Sequence, residues 1–192
     1  MTVVTWDGSS DVNWDTDANW DTGTAPTSSD DVVIPDASTT PNDCTLNGSS
    51  PKNVNSITVA TGGIIVGAGC SIRIYGENGS GFAADFDGEI SGVLNLEIKT
   101  ATTTSIDMTA SSGKVHDLTI NHASSIVNAE TTVDITGTLN ITLGTFKTNG
   151  NVLTVAESIS GNGTLTASTS TVTVTGQTTV ATVNITTGTY NY

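Results

Sequence analysis

The residues that could do chemistry are few, and the densest group is Asp85-Phe86-Asp87-Gly88-Glu89. In an extended strand, alternation places Asp85, Asp87 and Glu89 on one side. Carboxylates gathered in this way are what a polysaccharide-cleaving enzyme needs as general acid and base, usually beside a cation or a basic residue. No Lys or Arg lies near them in sequence, and Gly88 signals a bend, so an exposed acidic loop accounts for the same residues. A second group, Asp15-Thr16-Asp17-Ala18-Asn19-Trp20-Asp21, places oxygen donors at alternate positions like the opening of a calcium loop, making Asp15, Asp17 and Asp21 candidate calcium ligands. The match then breaks, because Trp20 stands where the loop needs Gly and Pro26 where it needs the bidentate Glu.

The remaining candidates are weaker. His116 and His122 are six residues apart, Cys44 and Cys70 are 26 apart, and neither spacing is that of a zinc site or a nucleophile–base pair. Two cysteines cannot make a disulfide framework; they read as small buried side chains, with one bridge between neighbouring turns as the alternative. Gly62-Gly63 and Gly67-Ala68-Gly69 lack a phosphate-loop Lys and a following helix, so they read as turns between strands. Asn-x-Ser/Thr occurs at Asn47, Asn78, Asn140, Asn162 and Asn184, which a chain this rich in Asn and Thr produces by chance. The expectation is a protein that is not an enzyme, with no catalytic residues and no cofactor apart from the imperfect calcium match.

The elements that would position these residues are strands. Hydrophobic residues make up 35% of the 192, charged residues 12% and aromatics 5%, while Thr supplies about a fifth. Polarity that comes from Thr, Ser, Asn and Gly suits pleated surfaces rather than helices. The net charge of −14, with only Lys52, Arg73, Lys99, Lys114 and Lys147 as scattered cations, excludes nucleic acid and anionic membrane surfaces as partners. No apolar run approaches a membrane-spanning helix. The start, Met1-Thr2-Val3-Val4-Thr5-Trp6-Asp7, shows no signal peptide, which leads to the expectation of a virion component or a trimmed fragment.

Short runs of alternating apolar and polar residues recur along the chain: Ser56-Ile57-Thr58-Val59, Ile64-Ile65-Val66, Ser71-Ile72-Arg73-Ile74, Val93-Leu94-Asn95-Leu96, Leu118-Thr119-Ile120, Leu139-Asn140-Ile141 and Val183-Asn184-Ile185 among them. Runs beginning at 94, 118, 139 and 183 are separated by 24, 21 and 44 residues, the last being two steps of 22. A step of about 22 residues predicts one turn of a three-sided solenoid, whose thin turns are stable only when stacked. The expected fold is therefore all-β, a right-handed parallel β-helix, with handedness taken from the general crossover rule. A β-sandwich or jelly roll is the alternative. One expected turn runs through Leu118-Thr119-Ile120, Ser125-Ile126-Val127 and Val133-Asp134-Ile135.

Residues 1–43 differ from the rest, holding all three Trp, three of the four Pro and nine of the 19 acidic residues. They read as an N-terminal Trp-rich cap ahead of solenoid repeats over 44–192, with Trp6, Trp14, Trp20, Pro26 and Asp31 as its structural residues. The 35 residues after Glu157 carry no charge, although exposed strand edges usually do. That predicts a covered end, with Val183, Ile185, Tyr190 and Tyr192 as an assembly interface; solubility from Thr and Asn alone is the plainer reading.

The cap residues Trp6-Asp7-Gly8, Trp14, Asn19-Trp20, Gly23, Pro26 and Asp31-Val32-Val33-Ile34-Pro35 resemble the opening motif of bacterial and phage parallel β-solenoid surface proteins. Gly137-Thr138-Leu139-Asn140-Ile141 and Gly144-Thr145-Phe146-Lys147-Thr148-Asn149-Gly150 resemble turns of the same repeat class. The resemblance implies a non-catalytic structural protein at a virion surface, a capsid decoration or fibre-like appendage acting by assembly and adhesion. Its partners would be further copies, as a homotrimer, or capsid and tail proteins, with surface glycans as another class. A bacterial cell-surface adhesin or filament segment is the second reading, and a carbohydrate-binding or carbohydrate-cleaving module the third.

Overall fold

A computed structural model describes residues 1–109, 112–176 and 189–191. The chain is a parallel β-helix of about 6 turns, without α-helix among the described residues. The strand segments fall on three faces. The first face stacks Thr2–Thr5, Asp30–Ile34, Ser56–Val59, Phe82–Phe86, Thr103–Asp107, residues 126–129, residues 145–147 and Thr164–Thr166, all parallel. The second face begins with Cys44–Leu46, residues 64–68 and residues 89–93. It resumes at Val133–Ile135, followed by Leu153–Val155, Thr171–Val174 and Thr189–Asn191. The third face stacks Lys52–Val54, residues 71–74, residues 95–98, residues 115–120, residues 138–141 and Ser158–Ser160. A sandwich or jelly roll would be built from antiparallel pairs; here, among the described residues, every ladder between strands is parallel.

Inward-facing side chains form columns that run the length of the stack. Ile72, Leu96, Leu118, Leu139 and Ile159 lie on one another, and beside them Val54, Ile74, Ile98, Ile120 and Ile141 do the same. All ten are at most 2% exposed. Each such aliphatic contributes about 1.5–3 kcal/mol by burial, and it does so only because a turn lies above and below. The register also adjusts one sequence alignment. Leu118 rests on Leu139 as expected, but its partner on the other side is Leu96 rather than Leu94, so the true step there is 22 residues. The turn expected through 118–120, 125–127 and 133–135 does occupy the third, first and second faces in that order.

Two boundaries differ from those read in the sequence. The runs at 64–66 and 71–74 are one strand, Ile64–Ile74, because the glycines between them bend the chain around a corner without breaking the ladder; Gly69 takes a left-handed φ of 81° and Gly67 lies directly on Gly92. The solenoid also begins well before residue 44. Thr2–Thr5 and Asp30–Ile34 are the first two rungs of the first face, and Asn13 bridges Thr45 on the second. The Trp-rich segment is thus a first turn with enlarged corners, and its length hid the repeat.

Candidate functional site

The three tryptophans close the N-terminal end of the core. Trp6, Trp14 and Trp20 are each at most 2% exposed. Trp20 meets Trp6 edge-on at 5.1 Å and Trp14 at 4.8 Å between ring centres, an arrangement favoured by the ring quadrupoles. Their indole N–H groups are satisfied, Trp6 donating to the Asn42 carbonyl and Trp20 to the Trp14 carbonyl, both at 2.8 Å. Asn19, fully buried, organises the loop: its side-chain oxygen accepts from the Ser10 and Asp11 N–H groups, and its amide donates to the Asp11 carboxylate and the Asn13 carbonyl. The Asn13 N–H and the Asn19 amide hold the Asp11 carboxyl below the usual range. Pro26 is half-buried beside Trp14. Asp31 is buried, accepting from Asn55 and Ser56 at 2.7 Å each, so it pins the second turn to the third.

The three candidate calcium ligands do not converge. Asp15 pairs with Lys52 at 2.6 Å, Asp17 accepts from the Ala25 N–H, and Asp21 accepts from the Thr5 N–H at 2.9 Å. Each carboxylate ties a different stretch of the cap to its neighbour. Among the described residues no group of three or more His, Cys, Asp or Glu is placed to hold a metal ion. His116 contacts the Thr136 hydroxyl and His122 the Ser124 N–H, at separate places. Cys44 and Cys70 are free and buried; burial pushes the Cys44 thiol well up, against the pull of Lys52, which leaves it unreactive.

The acidic run is also divided. The strand ends at Phe86, Asp87 and Gly88 turn the corner with both N–H groups on the Val59 carbonyl, and Glu89 starts the second face. Asp85, Asp87 and Glu89 therefore do not share a side. The neighbour of Asp85 is one turn away: it lies in register with Asp107 on the first face. Burial, then the charges of Asp87 and Asp107, raise the Asp85 carboxyl above the ordinary value. On the third face the opposite happens. Burial would raise Glu97, but hydrogen bonds from Asn121 and Arg73 and the charges of Arg73 and Lys99 outweigh it and lower the carboxyl.

On the second face, between residues 89–93 and Val133–Ile135, Ser112 forms an isolated parallel bridge with Glu89. A recess of about 480 Å³ opens there. Its floor is Ile90, Met108 and Val115, and Glu130, Thr132, Asp134 and Asn151 stand around it. Lys114 pairs with Asp134 across the gap. The sequence reading passed over this place. Of the expected assembly interface, Tyr190 lies on Thr189–Asn191, whose backbone pairs with Thr171–Thr173. Val183, Ile185 and Tyr192 lie outside the described residues.

Comparison of the chain with known protein families, with characterised proteins and with solved structures finds no match in any of the three.

Proposed function

We propose that this solenoid is a non-catalytic structural protein of a virion surface, a capsid decoration or fibre-like appendage that works by assembly and by adhesion. The observation that carries the reading is the continuous parallel stack, eight rungs long on its first face, with aliphatic columns inside and a coat of Thr, Ser and Asn outside. Such a stack is a rigid spacer, since each turn is held by the turns above and below it. The polar, weakly charged coat suits close approach to another surface, because few ions need desolvating there. The partners are further copies of the chain, as a homotrimer, or the proteins of a capsid or tail. The recess on the second face supports the adhesive part.

Light scattering on the purified chain across a range of concentrations tests the assembly part. Trimers or larger species are expected. A mass that stays at 19.5 kDa at every concentration overturns self-assembly.

A further inference from the structure

We propose that the recess on the second face is a binding site for an uncharged saccharide of one or two sugar rings, an inference that rests on the adhesive part of the reading above. The recess lies between two stretches of the second-face ladder, residues 89–93 and Val133–Ile135. Gly113, which lines it, takes a left-handed φ of 73°, and a Cβ there would run into the Ile90 carbonyl. Any larger residue at 113 would displace this wall.

The size and chemistry of the space select the ligand. About 480 Å³ falls in the range of small-molecule sites, roughly 300–1,000 Å³. The floor of Ile90, Met108 and Val115 offers an apolar surface for the C–H side of a sugar ring. Around it stand groups that both accept and donate: the carboxylates of Glu130 and Asp134, the Lys114 ammonium, the Thr132 hydroxyl and the Asn151 amide. Several are already held in place. Glu130 accepts from the Ser105 hydroxyl at 2.7 Å, leaving its second oxygen for a ligand. Asn151 donates to the Ala129 carbonyl at 3.0 Å, leaving its amide oxygen as an acceptor. Polar groups fixed before a ligand arrives bind it with less loss of side-chain freedom.

The charge balance decides against anionic and purely apolar ligands. Two carboxylates face one ammonium, and Asp107 adds a further negative charge through the Thr131 hydroxyl that it accepts from. Phosphate, sulfate and carboxylate ligands would be repelled in so acidic a protein. A lipid chain would leave the carboxylates desolvated and unpaired. A polyol meets both needs, since each hydroxyl can donate to Glu130 or Asp134 and accept from Lys114 or Thr132.

The test uses the full chain labelled with nitrogen-15, titrated separately with maltose, cellobiose, lactose and N,N′-diacetylchitobiose. At least one should give saturable amide shifts concentrated at Gly113, Lys114, Thr131 and Thr132, with millimolar or tighter affinity, and glucose 6-phosphate should bind more weakly than that disaccharide. Thr132 is exposed at the rim, so Thr132→Trp should fill the mouth and weaken binding at least tenfold without changing the fold. Asp134→Asn, which keeps the shape, should weaken it as well. No shifts at these four amides with any of the disaccharides would overturn the proposal, and so would binding undiminished in both variants. The mass in solution is blind to this recess, so failure of the saccharide site and failure of self-assembly are read by separate measurements.

Discussion

Replacing Asp85 with Asn should stabilise the protein at neutral pH, although nothing in the local sequence suggests it. Asp85 and Asp107 are in register on adjacent rungs of the first face. Adjacent strands are about 4.8 Å apart, so two carboxylates facing outward from them repel by about 0.9 kcal/mol even at the dielectric constant of water. Measured penalties for like charges directly across a sheet are of similar size, roughly 0.2–1 kcal/mol, with salt reducing them. Burial and the charge of Asp87 act in the same direction. The folded state therefore holds a proton on Asp85 more tightly than the unfolded chain does, and the linkage follows. Below the unfolded value of about 4 the carboxyl is neutral in both states and the penalty is absent. It develops as pH rises through the raised folded value and is complete at pH 7. With the partial exposure of Asp85 discounting the effect, Asp85→Asn should gain about 0.5 kcal/mol at pH 7, or roughly 1–2 °C in Tm for a chain of this length. Differential scanning fluorimetry at pH 7 and at pH 3, each at low and high salt, measures it. The gain should vanish at pH 3 and shrink in salt. A variant less stable than the parent at pH 7, or one whose gain persists at pH 3, would refute the repulsive ladder.

Other perturbations follow from the same geometry. Leu118→Ala, in the middle of a buried column between Leu96 and Leu139, should cost about 3–4 kcal/mol and lower Tm by roughly 6–16 °C, with hydrogen exchange rising first at the rungs on either side; a shift within a degree or two would mean that the column is not continuous. Asn19→Ala removes four side-chain hydrogen bonds from a fully buried site, at a cost of roughly 2–4 kcal/mol, and tryptophan emission should move to the red as the cap opens. An unchanged emission maximum would show that the indoles hold together without it. Treatment with a calcium chelator should leave Tm where it was, since Asp15, Asp17 and Asp21 are each engaged by a different group of the protein; a clear drop would restore the calcium reading.

The fold was legible because its determinants are local. Alternation in Leu118-Thr119-Ile120 or Leu139-Asn140-Ile141 marks a half-buried strand wherever it lies, and a near-constant step marks a stack. Thr2–Thr5 was harder to place, because the enlarged corners of the first turn put Val4 28 residues from its partner Val32, against 21 between Leu118 and Leu139. The cap tryptophans and Asn19 were legible as members of one motif, but how Asn19 organises the loop was not, since its role depends on hydrogen bonds to backbone that only the folded loop brings near. The carboxylates misled for a related reason. Alternation is a rule for one strand, and Gly88 turns the chain before Glu89 is reached, so Asp85 and Glu89 belong to different faces.

In a solenoid, neighbours on the surface are residues one turn apart, and spacing within a strand says little about them. Arg73 lies beside Glu97, 24 residues on, and Glu97 beside Asn121, another 24. Asp31 is satisfied by Asn55 and Ser56, 24 and 25 residues away. Asp85 lies in register with Asp107, 22 residues away. A motif search built on close spacing is blind to all of these, whereas the same sequence written with one turn per line brings each group into a column. A stack of this kind repeats its interior and most of its coat, so a surface that discriminates one ligand from another draws on residues from several turns. The second-face recess does so, with walls from four successive turns: Ile90 from the first, Lys114 and Val115 from the second, Glu130 and Asp134 from the third and Asn151 from the fourth.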